Sequence, residues 1–307
     1  MTAKKGVLFA ALAYAGWGLL PLYWTAFSSL SALEVLAYRI IWSAVFVWLL
    51  AFVLRRVQDV LGVGRHGKRL AAISVGAVLV TLNWLVYIYS VNSGHIVDAS
   101  LGYYINPLVN VLLGVVFLRE RLSRWQWVAI GVAALGVGSM VVVYGKVPWL
   151  ALALAGTFGF YGLVKKLVPV DAFVSLTWET TLTFPISLLY VLWLTLAHQG
   201  HLHTLPPSHI VLLVLAGVAT ATPLLWFGMA ARTLNLATIG VIQYLSPTIT
   251  LLLGILIYHE SFTRADLLSF SLIWAALVLY SGSMLQAARQ RRNIPSATSG
   301  DPGEFAS

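Results

Sequence analysis

The stretch Ser100–Arg124, SLGYYINPLVNVLLGVVFLRERLSR, returns in altered form as Gly240–Arg264, GVIQYLSPTITLLLGILIYHESFTR. Tyr104, Pro107, Leu112, Leu113, Gly114, Glu120 and Arg124 recur without a gap as Tyr244, Pro247, Leu252, Leu253, Gly254, Glu260 and Arg264. Each copy is an apolar run with a proline near its middle and an Arg/Glu or His/Glu pair at its end. Self-similarity at this spacing makes a duplicated unit the first hypothesis.

Composition sets the class. Of 307 residues, 60% are hydrophobic and 9% charged, and the mean hydropathy is +0.87. A soluble domain carries about 25% charged residues, so this chain lacks the polar surface to coat a globule. Its apolar runs are long enough to cross about 30 Å of hydrocarbon. The fold class is an all-α membrane protein. The net charge of +9 lies in short loops rather than on one face, so nucleic acid is not an expected partner; the lipid bilayer and a small-molecule substrate are. The absence of cysteine excludes disulfides and thiolate chemistry. Lys4 and Lys5 before an apolar run resemble a signal peptide, but residues 6–27 exceed an apolar signal core of about 7–15 residues. They read as a retained first helix.

Ten spans fit, near 6–27, 32–54, 70–92, 97–118, 125–144, 147–168, 172–197, 209–231, 236–258 and 262–286. With the N-terminus inside, the inner segments hold sixteen Lys and Arg, and the outer loops only Lys146 and Arg264. That asymmetry predicts cytoplasmic N- and C-termini. Residues 1–146 form one expected five-helix unit and 147–286 a second. An odd helix number makes successive units insert with opposite orientation, an inverted repeat. Residues 287–307, basic and then rich in Ser, Pro and Gly, read as a disordered cytoplasmic tail.

One face of the fourth span carries Ser100, Tyr103, Pro107, Asn110 and Gly114; the ninth carries Gly240, Gln243, Pro247, Thr250 and Gly254. A small or polar stripe in lipid turns inward, toward helices or a water-filled cavity. Pro107 frees the carbonyl of Tyr103, and Pro247 that of Gln243. One such proline is ordinary in a membrane helix; two at matching places read as hinges or a binding site. Asn83, with Tyr87 on its face and Trp84 beside it, is either a helix–helix hydrogen bond or a cavity ligand. Trp17 and Tyr161, at equivalent places in the two halves, are candidate aromatic walls.

Three intramembrane charges stand out. Arg39 lies on the order of 10 Å deep, where an arginine costs at least ~2.5–3.5 kcal/mol unless paired or snorkelling. Asp98 matches its depth better than Glu34 matches its face. Glu179 is a candidate for proton coupling or, alternatively, a structural partner for a hydroxyl or helix end. His198, His201, His203 and His209 read as a solvated loop rather than a metal site, and no cofactor motif is present.

On the stretches Gly16–Gly18, Tyr38–Ser43, Asn83–Trp84, Ala99–Asn110, Phe160–Val164 and Gln243–Thr248 the chain resembles the drug/metabolite transporter superfamily, specifically its EamA-domain permeases, and within them the RarD family. The resemblance covers nearly all of residues 5–286. It implies a bacterial inner-membrane permease that exports amino acids, metabolites or drugs through a central cavity. Asp98 departs from the family pattern, which favours glutamate there. Tyr103, Tyr104, Asn106, Gln243 and Tyr244 are expected to line the cavity, with Pro107 and Pro247 as bending points. The alternatives are an intramembrane enzyme using Glu179 and Asp98, and a scaffold or receptor; isolated acids disfavour the first and matched halves the second.

Overall fold

The computed structural model describes residues 2–27, 29–92, 96–144, 149–257 and 264–292. Twelve helices follow in order: α1 Ala3–Trp24, α2 Ala32–Val53, α3 Val57–Gly64, α4 Gly67–Asn92, α5 Ile96–Leu118, α6 Arg124–Tyr144, α7 Trp149–Leu167, α8 Ala172–Leu196, α9 Pro207–Thr233, α10 Leu236–Gln243, α11 Leu245–Leu256 and α12 Arg264–Arg292. Among the described residues seven segments are long and apolar enough to cross a bilayer: α1, α2, Gly67–Tyr87, α7, α8, α9 and Leu236–Leu253. Gly102–Leu118 and Ser271–Ser283 are apolar but shorter. The outer surface is apolar too, with Leu196 80%, Val142 79% and Ile186 73% exposed. Such a surface belongs in lipid, and the protein is an all-α, multi-pass membrane protein.

Two features depart from the expected spans. The ninth is broken: α10 ends at Gln243, Tyr244 serves as the joint, and α11 starts at Leu245. Pro247 sits in the first turn of α11 and has no N–H for the Gln243 carbonyl, so the ladder is interrupted at that point. Pro107, at the matching place, stays within the continuous helix α5. Second, the segment between the basic residues Arg55–Arg56 and Arg65, after α2, forms the short helix α3. Its buried Val60 and Val63 face α8, where Trp178 Nε1 donates to the Val60 carbonyl at 2.8 Å.

Local signals set several boundaries. Ser31 Oγ accepts from Glu34 N at 3.2 Å and starts α2; Asp171 Oδ1 accepts from Phe173 N at 3.1 Å and starts α8. Arg55, Arg119 and His198 end α2, α5 and α8 with φ of 55°, 53° and 54°, the left-handed stop more often taken by glycine.

The helices interleave across the sequence repeat. α1 packs on α9 and on α10–α11, much as α7 packs on α4 and α5. α2 lies on α9 as α8 lies on α4, and α6 pairs with α12. Matching contacts recur: Thr250 Oγ1 donates to the Gly18 carbonyl at 3.3 Å, while Asn110 lies against Gly162. The largest buried cluster draws on both halves and includes Tyr14, Val47, Tyr161, Leu176, Phe227 and Ile239.

Candidate functional site

Among the described residues, polar side chains gather at several places inside this bundle. The first is a knot of amides between α5 and α10. Gln243 Nε2 donates to Asn106 Oδ1 at 2.6 Å, and Asn110 Nδ2 donates to Gln243 Oε1 at 2.8 Å. Asn106 Nδ2 reaches the Ala155 carbonyl on α7 at 2.7 Å, and the Tyr14 hydroxyl of α1 donates to Gln243 Oε1 at 3.3 Å. All four side chains are buried. Gly240 allows the approach: a Cβ there would lie 2.6 Å from the Pro107 carbonyl oxygen. Gln243→Leu removes three of these bonds. Each buried group left without a partner costs about 1–3 kcal/mol, so thermal unfolding in detergent should show a clearly lowered midpoint, and Asn106→Leu in the same chain should restore part of the loss.

The second centre surrounds Arg39. Its Nε donates to Thr220 Oγ1 of α9 at 3.1 Å. The guanidinium carbon lies 4.4 Å from the Trp24 ring centroid and 5.4 Å from that of Trp84. Tyr87 and Tyr103, their rings 6.0 Å apart, are close enough to couple electrostatically with it. Both stay accessible, at 38% and 47%. They stand with Arg39 among α2, α4, α5 and α9, toward the end of the bundle where α2 begins and α4 finishes, and a narrow crevice borders the cluster at Trp84 and Thr220. That crevice is lined by Trp84 and Thr220 together with Ser43, Thr81, Thr180 and Glu179. Thr81 Oγ1 is buried there without a hydrogen-bond partner. The amide knot lies deeper, because Asn106 and Asn110 follow Tyr103 by one and two turns of α5.

The remaining expected site residues are placed as follows. Asn83 donates to the Leu154 carbonyl at 2.9 Å and to Thr157 Oγ1 at 3.0 Å, the helix–helix alternative. Trp17 and Tyr161 meet through Phe227, with ring centroids 5.7 and 5.8 Å from it, in a packed aromatic cluster. Tyr104 and Tyr244 are buried with α6 and α12, and the Tyr244 hydroxyl donates to the Tyr104 carbonyl at 3.3 Å. Pro107 and Pro247 are both buried. The side chain of Asp98 lies outside the described residues. Glu34, rather than facing Arg39, accepts from His201 N at 2.9 Å and sits 3.2 Å from its Nδ1. Among the described residues no group of three His, Asp or Glu could hold a metal.

Glu179 is not isolated. It lies 2.6 Å from Lys165 Nζ and accepts from Ser175 Oγ at 2.9 Å and from the Tyr161 hydroxyl at 3.0 Å. Lys165, counted from sequence among the loop charges, is buried in α7. The α7–α8 turn holds the clue: Lys165 lies two residues before the end of α7 and Glu179 seven residues past the start of α8, a difference in depth that the long lysine side chain spans. Glu120 is the other residue whose role the sequence hid. The stop at Arg119 folds it back so that Oε1 and Oε2 accept from Leu236 N at 2.7 Å and Ala237 N at 3.1 Å, capping α10. Gly114 leaves the space, since a Cβ there would meet Glu120 Oε2 at 2.6 Å. That accounts for the Gly114 and Glu120 of the repeat; Glu260 lies outside the described residues.

The arrangement is that of a multi-pass helical bundle with an arginine held among aromatic rings beside a narrow crevice between interleaved halves. A family model described as the EamA-like transporter family matches residues 4–142 and again 146–282. The chain belongs to that family. It is 45% identical to an "Uncharacterized transporter" of Vibrio cholerae over 94% of this chain and 96% of that one. It is 41% identical to "Protein RarD" of Streptomyces exfoliatus over 94% and 92%. A solved crystal structure, 17% identical, superposes with a TM-score of 0.70 over 91% of this chain and 98% of that one, which shows a shared fold.

Proposed function

We propose that the protein is a secondary transporter that exports small metabolites, amino acids or drug-like amphiphiles across the bacterial inner membrane by alternating access. Its N- and C-termini lie in the cytoplasm, as the Lys and Arg distribution favours. The observation that carries the proposal is the narrow crevice lined by Trp84, Thr220, Thr81 and Thr180, two of whose lining residues, Trp84 and Thr220, hold Arg39. At the other end the Glu120 cap on α10 ties the first half to the second. Rocking of the halves would break this tie and open the crevice to the opposite side.

The absence of cysteine allows a direct test. A Cβ at Gly6 would come within 3.0 Å of the Leu234 side chain at the closed end, so a cysteine pair at positions 6 and 234 can form a disulfide. In proteoliposomes, flux of a transported solute should stop on oxidation and return on reduction. Unchanged flux through the cross-linked protein rules out opening at that end. Failure of every labelled amino acid and drug-like solute to outpace empty vesicles removes the transport reading altogether.

A further inference from the structure

We infer that Arg39 is an anion receptor, and that the crevice takes an organic monoanion, a carboxylate joined to an apolar or aromatic body. The inference rests on the transport reading and names the substrate class of the same site. A guanidinium carries five N–H donors and never sheds its charge. Among the described residues Arg39 makes no ion pair, and its one hydrogen bond, from Nε to Thr220, leaves its terminal nitrogens unspent. Trp24 and Trp84 hold the guanidinium by cation–π contact. They fix its plane and satisfy none of its N–H groups.

Elsewhere in this protein buried charge is neutralised locally, as at Lys165 and Glu179. Arg39 instead has Tyr87 and Tyr103, both partly exposed, as its electrostatic neighbours, and no carboxylate among the described residues. A planar fork of donors matches a carboxylate in two parallel hydrogen bonds. The aromatic walls suit the apolar body, and the unpartnered Thr81 hydroxyl in the crevice offers one further bond. A single cation favours a monoanion over a phosphate dianion, which would bring a second charge with no partner.

The test begins with wild-type protein, so that no variant has to fold. Phenylacetate and its neutral isostere phenylacetamide are titrated into purified protein, read by tryptophan fluorescence and by thermal shift. Phenylacetate should bind at least tenfold more tightly; equal binding overturns the inference. Arg39→Gln should bring phenylacetate down to the affinity of the amide, with Arg39→Lys in between because it keeps the charge and loses the fork. Asp98→Asn decides whether that residue is the arginine's natural counter-charge. Binding within about twofold of wild type supports the receptor role, and phenylacetate binding that appears only in Asp98→Asn overturns it. Flux separates the two levels. If amide and carboxylate move equally well, and equally in Arg39→Gln, transport stands and the anion site falls; if neither moves while phenylacetate still binds through Arg39, the transport reading falls and the anion site stands.

Discussion

Lys165→Met should lower the stability of the folded protein by about 3–5 kcal/mol, the cost of removing one partner from a buried ion pair. Both side chains of the Lys165–Glu179 pair are nearly closed off, at 4% and 3% exposure. Without Lys165, Glu179 would keep only the Tyr161 and Ser175 hydroxyls as partners, and two neutral donors do not neutralise a carboxylate in the interior. In detergent the unfolding midpoint should fall on the order of 10 °C. The double variant Lys165→Met/Glu179→Leu should recover most of that, because an apolar pair of similar volume is often as stable as a buried ion pair. A single variant that melts with the wild type contradicts the geometry. The double variant also tests whether Glu179 couples protons to transport: as a structural pair it should leave flux intact, whereas a coupling carboxylate would leave a folded protein that no longer drives solute.

The second large effect is expected at Gly217. A Cβ there would lie 2.3 Å from both the carbonyl carbon and oxygen of Trp42, and 2.8 Å from Ser43 N. These are backbone atoms and cannot rotate away, so α2 and α9 would have to separate. Close backbone contact at a small residue is a principal source of helix association in membranes. The Ser43 hydroxyl, which donates to the Gly217 carbonyl at 3.3 Å, would lose its acceptor in the same movement. Gly217→Ala should cost about 3 kcal/mol, the upper part of the usual range for overpacking, and Gly217→Leu should abolish a monodisperse folded species in size-exclusion chromatography. Gly131→Ala is the control: nothing lies within 4 Å of its Cβ position, and stability should hold or rise slightly. The damage at Gly217 reaches the crevice, because Thr220 stands one turn further along α9 and Arg39 one turn back along α2.

How much of this was legible beforehand depended on the kind of signal. Hydropathy and the Tyr–Pro–Gly–Glu repeat located the helices within a few residues, because a bilayer demands long apolar runs and duplication preserves their punctuation. The stripes on the fourth and ninth spans were expected to turn inward, and Asn110 and Gln243, one from each, are buried. They could not say that their amides would bond to each other. They also gave no warning that Tyr103 and Tyr104, adjacent in sequence, would part: Tyr103 stands with Arg39, and Tyr104 packs toward α6 and α12. Neighbours on a helix diverge by about 100°, and only the packing of the other helices shows which direction is open. Lys165 was misplaced because the charge rule counts residues near span ends without asking whether a carboxylate waits across the turn. Trp24 and Thr220 carried no pattern at all; they matter only because Arg39 reaches the end of α1 on one side and α9 on the other.

The exchange of partners between the halves bears on how the chain is made. α1 finds its main packing surfaces on α9 to α11, and α2 on α8 and α9, all of which belong to the second unit and are synthesised later. α7 and α8, by contrast, emerge to find α4 and α5 already in place. The contacts that hold α1 and α2 are thus completed only once the second unit is present, and the Arg39–Thr220 bond with them. The ribosome delivers the two units in sequence, but they mature as one object.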